Sequence, residues 1–278
     1  MIGSRRRRND QGFILITVMW IGLGLLLAVA AFMATARQDA LAVRAEVNAA
    51  RATELARSGL NLALADLGRV ADDQVKVARD GTSMTVAMAE GRVTYRIFDE
   101  SGKIDILQAP GSMVAPTLVQ IGEAEGIDSF DAVNVADIVG NLASAPDGTI
   151  RSVYSALTSA GLSGETALAA SRYLTTLNLS PQVNPMTAPR PVLSSVPGVG
   201  GALVEDIIAR RETGRPLPVL GSAAVWLVAR EGPVYTIEAE AELTTGGRAM
   251  LRAQVAERGL SFRGGMTRFD VLSFDVVR

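Results

Sequence analysis

The chain has 278 residues, enough for a membrane segment plus one or two compact domains, with 48% hydrophobic residues and a mean hydropathy of +0.24. It contains neither cysteine nor histidine, which excludes disulfide staples, Ser-His-Asp and Cys-His catalysis, and Cys/His zinc sites. The formal net charge is −2, yet Arg5, Arg6, Arg7 and Arg8 stand against Asp10 alone near the N-terminus; the remainder is acidic, and a general affinity for nucleic acid is not expected.

From Phe13 to Ala36 the run FILITVMWIGLGLLLAVAAFMATA holds no charge and no proline. As a helix at 1.5 Å per residue it is about 36 Å long, enough to cross a hydrocarbon core of about 30 Å. The preceding arginines stay on the cytoplasmic side, because positive charge beside a membrane segment resists translocation, so residues 37–278 face outward. Ala34-Thr35-Ala36 imitates the small-residue site of a cleaved secretory signal. Against that reading, the helical pattern continues as RQDALAVRAEVNAARATELARSGLNLALADL, with Leu41, Val47, Leu55, Leu60, Leu64 and Leu67 near one stripe. The first proline is Pro110. One helix from Phe13 to Leu67 is therefore predicted, about 80 Å long, half in lipid and half amphipathic outside it.

Residues 83–98 read as a β-hairpin turning at Glu90-Gly91, with Val93, Tyr95 and Ile97 on one face. In VYTIEAEAEL, residues 234–243, Tyr235, Ile237, Ala239, Ala241 and Leu243 alternate with Thr236, Glu238, Glu240 and Glu242. A register shift of one residue exchanges the two faces of a strand. That parity favours a three-residue loop Thr245-Gly246-Gly247, pairing Ala241 with Leu251, Ile237 with Val255 and Glu240 with Arg252, over a two-residue Gly246-Gly247 loop. A last strand, FDVLSFDVV at residues 269–277, closes the sheet.

Between the hairpins, residues 104–222 change to short helical patterns separated by small-residue turns. Asp128 is placed to cap FDAVNVADIVGNL and Ser163 to cap GETALAASRYLTTL. The stretch Val196-Pro197-Gly198-Val199-Gly200 leading into GALVEDIIARRETG has the pattern of a helix-hairpin-helix, a motif that can hold a backbone phosphate on its glycine amides. Arg210 and Arg211 face Glu205, Asp206 and Glu212 in that segment, which favours a packing role over phosphate binding. Ser101 and Lys103 do not make a Ser-Lys dyad on spacing alone, and Asp99-Glu100 is expected to support the junction. Asp72-Asp73, Asp128, Asp131 and Asp137 read as solvated carboxylates or helix caps. No enzymatic constellation stands out.

The basic leader, Gly12 followed by Phe13, the hydrophobic half-helix and the amphipathic half-helix together resemble the type IV pilin and pseudopilin family. The resemblance implies cleavage between Gly12 and Phe13 by a membrane prepilin peptidase, N-methylation of Phe13, and a strand-rich head packed on the helix. Most pilins carry glutamate at the fifth residue after the cut; here that position is Thr17, whose hydroxyl can return to a helix carbonyl. A subunit without this glutamate suits a place with no earlier subunit to dock against. Phe98-Asp99-Glu100-Ser101-Gly102-Lys103-Ile104-Asp105 is similar to the Asp-Glu-x-Gly-Lys/Arg segment of the minor pseudopilin K family of type II secretion. Val183-Asn184-Pro185-Met186-Thr187-Ala188-Pro189 is similar to that family's Asn-x-Asn-Thr-Ala segment, with Met186 at the second asparagine and Leu107 departing from the first pattern.

The expected fold is thus α+β: a long N-terminal helix, transmembrane and then amphipathic, packed on an antiparallel pilin-like sheet with an inserted all-α domain. The expected divisions are a leader at 1–12, the transmembrane half-helix at 13–36, the amphipathic helix and first strands at 37–103, the insertion at 104–222 and the closing strands at 223–278. The resemblance implies a non-enzymatic subunit at the tip of a periplasmic pseudopilus, with I-, J- and H-type minor pseudopilins, the prepilin peptidase and the inner membrane as partners and no nucleic acid. It implies no cofactor beyond calcium on oxygen ligands, which match no particular residues here. The competing expectation is a membrane-anchored helix-hairpin-helix protein of DNA uptake.

Overall fold

The computed structural model describes residues 10–68, 78–130, 137–140, 152–258 and 268–277. Helix α1 spans Asp10–Leu67, 58 residues without interruption. Nothing in it breaks the ladder: it has no proline, and alanine and leucine, both strong helix formers, dominate its second half. It ends where predicted, at Leu67, with the amide of Gly68 closing on the Leu64 carbonyl at 3.0 Å.

The sheet contains β1 (Met84–Met88), β2 (Gly91–Asp99), β5 (Val234–Leu243), β6 (Arg248–Arg258) and β7 (Arg268–Val277), all antiparallel in the order β1-β2-β5-β6-β7. Two short strands elsewhere, β3 (Ile104–Asp105) and β4 (Leu174–Thr175), pair in parallel. The final strand forms at the sheet edge, as expected from FDVLSFDVV.

Residues Ala52, Leu55, Ala56, Leu60, Ala63 and Leu67 of α1 bury against Val93, Tyr95 and Ile97 of β2, and against the inward rows of β5 and β6. Each of the three leucines contributes about 1.5–3 kcal/mol of burial. Gly59 lets the helix approach: a Cβ there would sit 2.2 Å from Val93 Cγ1. The expected stripe is only half right, because Leu41 and Val47 are 56% and 44% exposed. The sheet reaches up the helix only to Asn48, whose side chain meets Thr245, so the turns before it have nothing to bury against.

Both hairpins form, with shifted turns. In the first, Met88 pairs with Gly91, so the turn is Ala89-Glu90 rather than Glu90-Gly91. Gly91 is a strand residue, and its lack of a side chain answers a close approach: a Cβ would lie 2.1 Å from the Glu242 carbonyl oxygen of β5. In the second, Ala239 pairs with Leu251, Tyr235 with Val255 and Glu238 with Arg252, two residues away from the expected pairing. The faces are correct because a shift of two preserves parity. The loop is Thr244-Thr245-Gly246, closed by Leu243 and Gly247, with Gly246 at φ +79°. Tertiary contacts select it: the Thr244 amide donates to the Glu90 carbonyl at 3.0 Å, and Gly247 lies against Asn48 of α1.

A second buried cluster lies between β2 and β5 in sequence and runs from Ile104 to Leu227. Its helices are Gly111–Glu125, Val153–Ser159, Gly164–Ala170, Arg190–Ser195 and Gly201–Glu212. Ser163 caps the third as expected, its hydroxyl accepting from the Thr166 amide at 3.1 Å. That helix stops at Ala170, short of the predicted Leu177, because Leu174 and Thr175 are taken up as β4 beside β3. Asp128 opens a short 3-10 turn, Asp128–Phe130. Asp72, Asp73, Asp131 and most of the FDAVNVADIVGNL segment lie outside the described residues.

Candidate assembly helix and buried junction

Among the described residues, one helix is long and apolar enough to cross a membrane. Its side chains from Phe13 through Val47 are all exposed, with Phe13 at 72% and Phe32 at 73%. An apolar surface of this extent requires lipid or other helices around it. Gly12 and Phe13 both sit in the opening turns of α1. Thr17 donates its hydroxyl to the Phe13 carbonyl at 2.9 Å, so its polar group is satisfied within the helix. A glutamate there would instead bring a charge that asks for a partner in lipid.

At the other end of the molecule, β2 runs into a buried polar knot that joins the sheet to the helical cluster. Asp99 is 2% exposed, and its carboxylate accepts from the Ser101 amide at 2.9 Å and hydroxyl at 2.7 Å. It also accepts from the Gly232 amide, the Asn184 side-chain amide and the Thr187 hydroxyl, at 3.3, 3.3 and 3.2 Å. Two distant segments, 184–187 and Gly232, are thereby gathered on one side chain. Gly102 permits the approach, since a Cβ there would stand 2.7 Å from Thr187 Oγ1 and 2.8 Å from the Thr187 carbonyl carbon. Both segments that carry the sequence resemblance therefore meet here, and the Asn184 and Thr187 contacts form despite Met186.

Immediately beside it lies Lys103, also 2% exposed. Its ammonium donates to the Glu100 carboxylate and, at 3.1 Å, to the Ser171 carbonyl, and stands 5.3 Å from the Phe98 ring centroid. Glu100 accepts in addition from the Thr236 hydroxyl at 2.6 Å. Arg252 of β6 reaches Ser171 Oγ at 2.6 Å, and its cross-strand partner Glu238 lies 3.6 Å from Arg172. Burial, opposed by Glu100 and reinforced by Arg252, lowers the Lys103 pKa from its ordinary value. Ser101 and Lys103 are occupied by different carboxylates and do not meet as a dyad.

Burial raises the pKa of Asp99 above 3.8, against the hydrogen bonds it accepts, and it raises Asp105 likewise. A raised folded pKa means that the folded state holds the proton longer than the unfolded chain. This contribution to stability is full below pH 3.8 and lost as pH rises through the folded values. Carboxyl-carbon NMR titration of the folded protein is expected to place both midpoints above 3.8; ordinary midpoints would show that the junction admits water.

The glycine hairpin lies on the helical cluster, with Gly198 at φ +84° and its Cβ position 2.6 Å from Ser222 Oγ. Its cations are already engaged. Arg210 bonds Asp206 at 2.8 Å and the Pro216 carbonyl at 3.2 Å, while Arg211 bonds the Ala188 carbonyl at 2.7 Å and stands 4.0 Å from Asp80. Arg190 pairs with Glu205 on the hairpin's own second helix. Among the described residues, no three acidic side chains converge as a metal site.

Sequence reading named Lys103, Arg252 and Glu238 but not their place in the interior, because single charged residues ordinarily belong to the surface. Thr236 and Glu238 alternate with the apolar positions of β5, the pattern of a solvated second face, so no local signal announced that both are buried.

No family model matches the chain, and no curated protein matches its sequence. Among solved structures, it shares its fold with a chain of the crystal structure of the GspK-GspI-GspJ complex from the type 2 secretion system of enterotoxigenic Escherichia coli. The TM-score is 0.51 at 11% identity, and the likeness covers 85% of this chain and 99% of that one.

Proposed function

We propose that this protein is a minor pseudopilin of a type II secretion system that caps the tip of the periplasmic pseudopilus and aids its assembly. The observation that carries the reading is the combination of folds: a bare apolar helix, an antiparallel sheet packed on its distal half and a helical cluster inserted between β2 and β5, in one likeness spanning 85% of the chain. In this role the leader ending at Gly12 is removed by prepilin peptidase, the new N-terminus at Phe13 is methylated, and the head faces the periplasm. I-, J- and H-type minor pseudopilins are its neighbours. Thr17, satisfied by its own helix, supports the tip position, since the subunit brings no carboxylate to an earlier neighbour. The role requires no catalysis and no cofactor. The DNA-uptake alternative gains nothing from the hairpin, where Arg210 and Arg211 are held by the protein itself.

Mass measurement of the protein extracted from inner membranes tests the reading. The expected mass begins at a methylated Phe13, and Gly12→Asp is expected to leave the unprocessed chain and abolish secretion. An unchanged mature mass and undiminished secretion in the Gly12→Asp strain would sink it.

A further inference from the structure

Beyond the apolar span, α1 stands free of its own sheet for several turns, and its charges there are sorted. Arg37, Asp39, Arg44 and Glu46 are all exposed there, as is Arg51 one turn on, level with the packed stretch, where its i+3 neighbour Glu54 is taken by Arg57. None makes an ion pair among the described residues, whereas Glu54 and Arg57 just beyond them pair with each other at 2.7 Å. The spacing explains this. No opposite charge stands three or four residues from Arg37, Asp39, Arg44 or Glu46, which are the only separations that bring side chains together on one helix.

The arginines instead recur every seven residues, as do the two acids. At about 100° per residue, Arg37, Arg44 and Arg51 lie within about 40° of one another, on a flank turned about 70–110° from the line that faces the sheet. Asp39 and Glu46 lie about 110–130° to the other side. The sheet-facing line is fixed by the buried Ala52, Ala56, Gly59 and Ala63. Each step along the arginine ladder is about 10.5 Å of helix. A helix with its N-terminal half in the membrane can meet another such helix only in parallel, so a neighbour with acids at the same seven-residue step on its facing flank meets one of these arginines at each of them.

We infer that the ladder Arg37-Arg44-Arg51 is the docking flank for a parallel, membrane-anchored helix of another subunit that presents Asp or Glu at matching seven-residue steps. This deepens the reading as a pseudopilin and rests on it. Exposed ion pairs add little affinity, so the ladder sets register and side while the apolar span supplies adhesion. It excludes a neighbour approaching from the acidic flank with acids of its own, by like-charge repulsion.

The absence of cysteine makes the test clean. Ala40→Cys marks the arginine flank and Ala50→Cys the acidic flank, each in the full chain co-expressed with the I- and J-type subunits of its system and labelled in inner membranes with a photoactivatable maleimide. Adducts with one of those subunits are expected from position 40, and Arg37→Glu/Arg44→Glu is expected to cut their yield at least tenfold. Adducts from position 40 that survive the charge reversal overturn the ladder and leave the assembly reading standing, as do adducts from position 50 alone. Adducts from neither position overturn both. Protease resistance of the head, which none of these exposed residues touches, serves as the folding control.

Discussion

Replacing Lys103 by methionine is expected to destabilise the protein by about 3–5 kcal/mol, because it strands a carboxylate that has been built into the interior. Glu100 is 2% exposed and would keep only the Thr236 hydroxyl as a donor, with Glu238 of the neighbouring strand adding a second buried negative charge nearby. The loss arises from the partner left behind rather than from the pair itself. Lys103→Met/Glu100→Gln should therefore be less destabilised than the sum of the two single variants, by roughly 1 kcal/mol or more, since the glutamine keeps an acceptor for Thr236 and carries no charge. Urea unfolding of the detergent-solubilised chain, followed by the fluorescence of Trp226 against the helical cluster, measures all three variants. Strict additivity would mean that Lys103 and Glu100 act independently and that the junction is not a coupled unit.

The second large effect is expected at Gly91. Alanine there places a methyl group 2.1 Å from the Glu242 carbonyl oxygen and 2.9 Å from the Leu243 Cα, both backbone atoms of the paired strand β5. The strands must part locally, at a cost of about 3 kcal/mol. The same experiment separates the observed turn from the one predicted. If Gly91 were needed for left-handed backbone, asparagine would restore much of the stability, since it tolerates that conformation. With Gly91 as a strand residue, asparagine carries the same Cβ and is expected to be no better than alanine. A Gly91→Asn variant close to wild type in urea midpoint would move the turn back to Glu90-Gly91.

Local chemistry was legible in the sequence, and long-range choice was not. The end of α1, the inward faces of β2 and β5, the Ser163 cap and the edge strand all follow from periodicity and capping, which act over a few residues. The register of β5 on β6 fails by two because parity constrains faces but not pairs; the choice is made by Glu90 and Asn48, residues remote in sequence. Leu41 and Val47 mislead for the opposite reason. Their spacing fits an amphipathic helix, but the surface that would bury them is not part of this chain's own sheet. At the junction, the pairing of Asp99 with Asn184 and Thr187 could not be read from spacing, although the similarity of both segments to one family pointed to them.

The placement of the helical cluster also sets a clock on folding. Asp99 is paired with Tyr235, so β2 has no neighbour on that side until the chain has been made past the whole intervening segment. During synthesis the β1-β2 hairpin waits with a bare edge, the most association-prone state of a strand. Closing so long a loop at random is slow, and contacts of this separation delay two-state folding. The helical cluster shortens the wait, because its completion brings Gly232 onto the Asp99 carboxylate and so delivers β5 to β2 already in register. The topology predicts an order of events: cluster first, knot second, sheet last. A lesion in the knot would appear as a slower closing of the sheet even where the finished protein survives it.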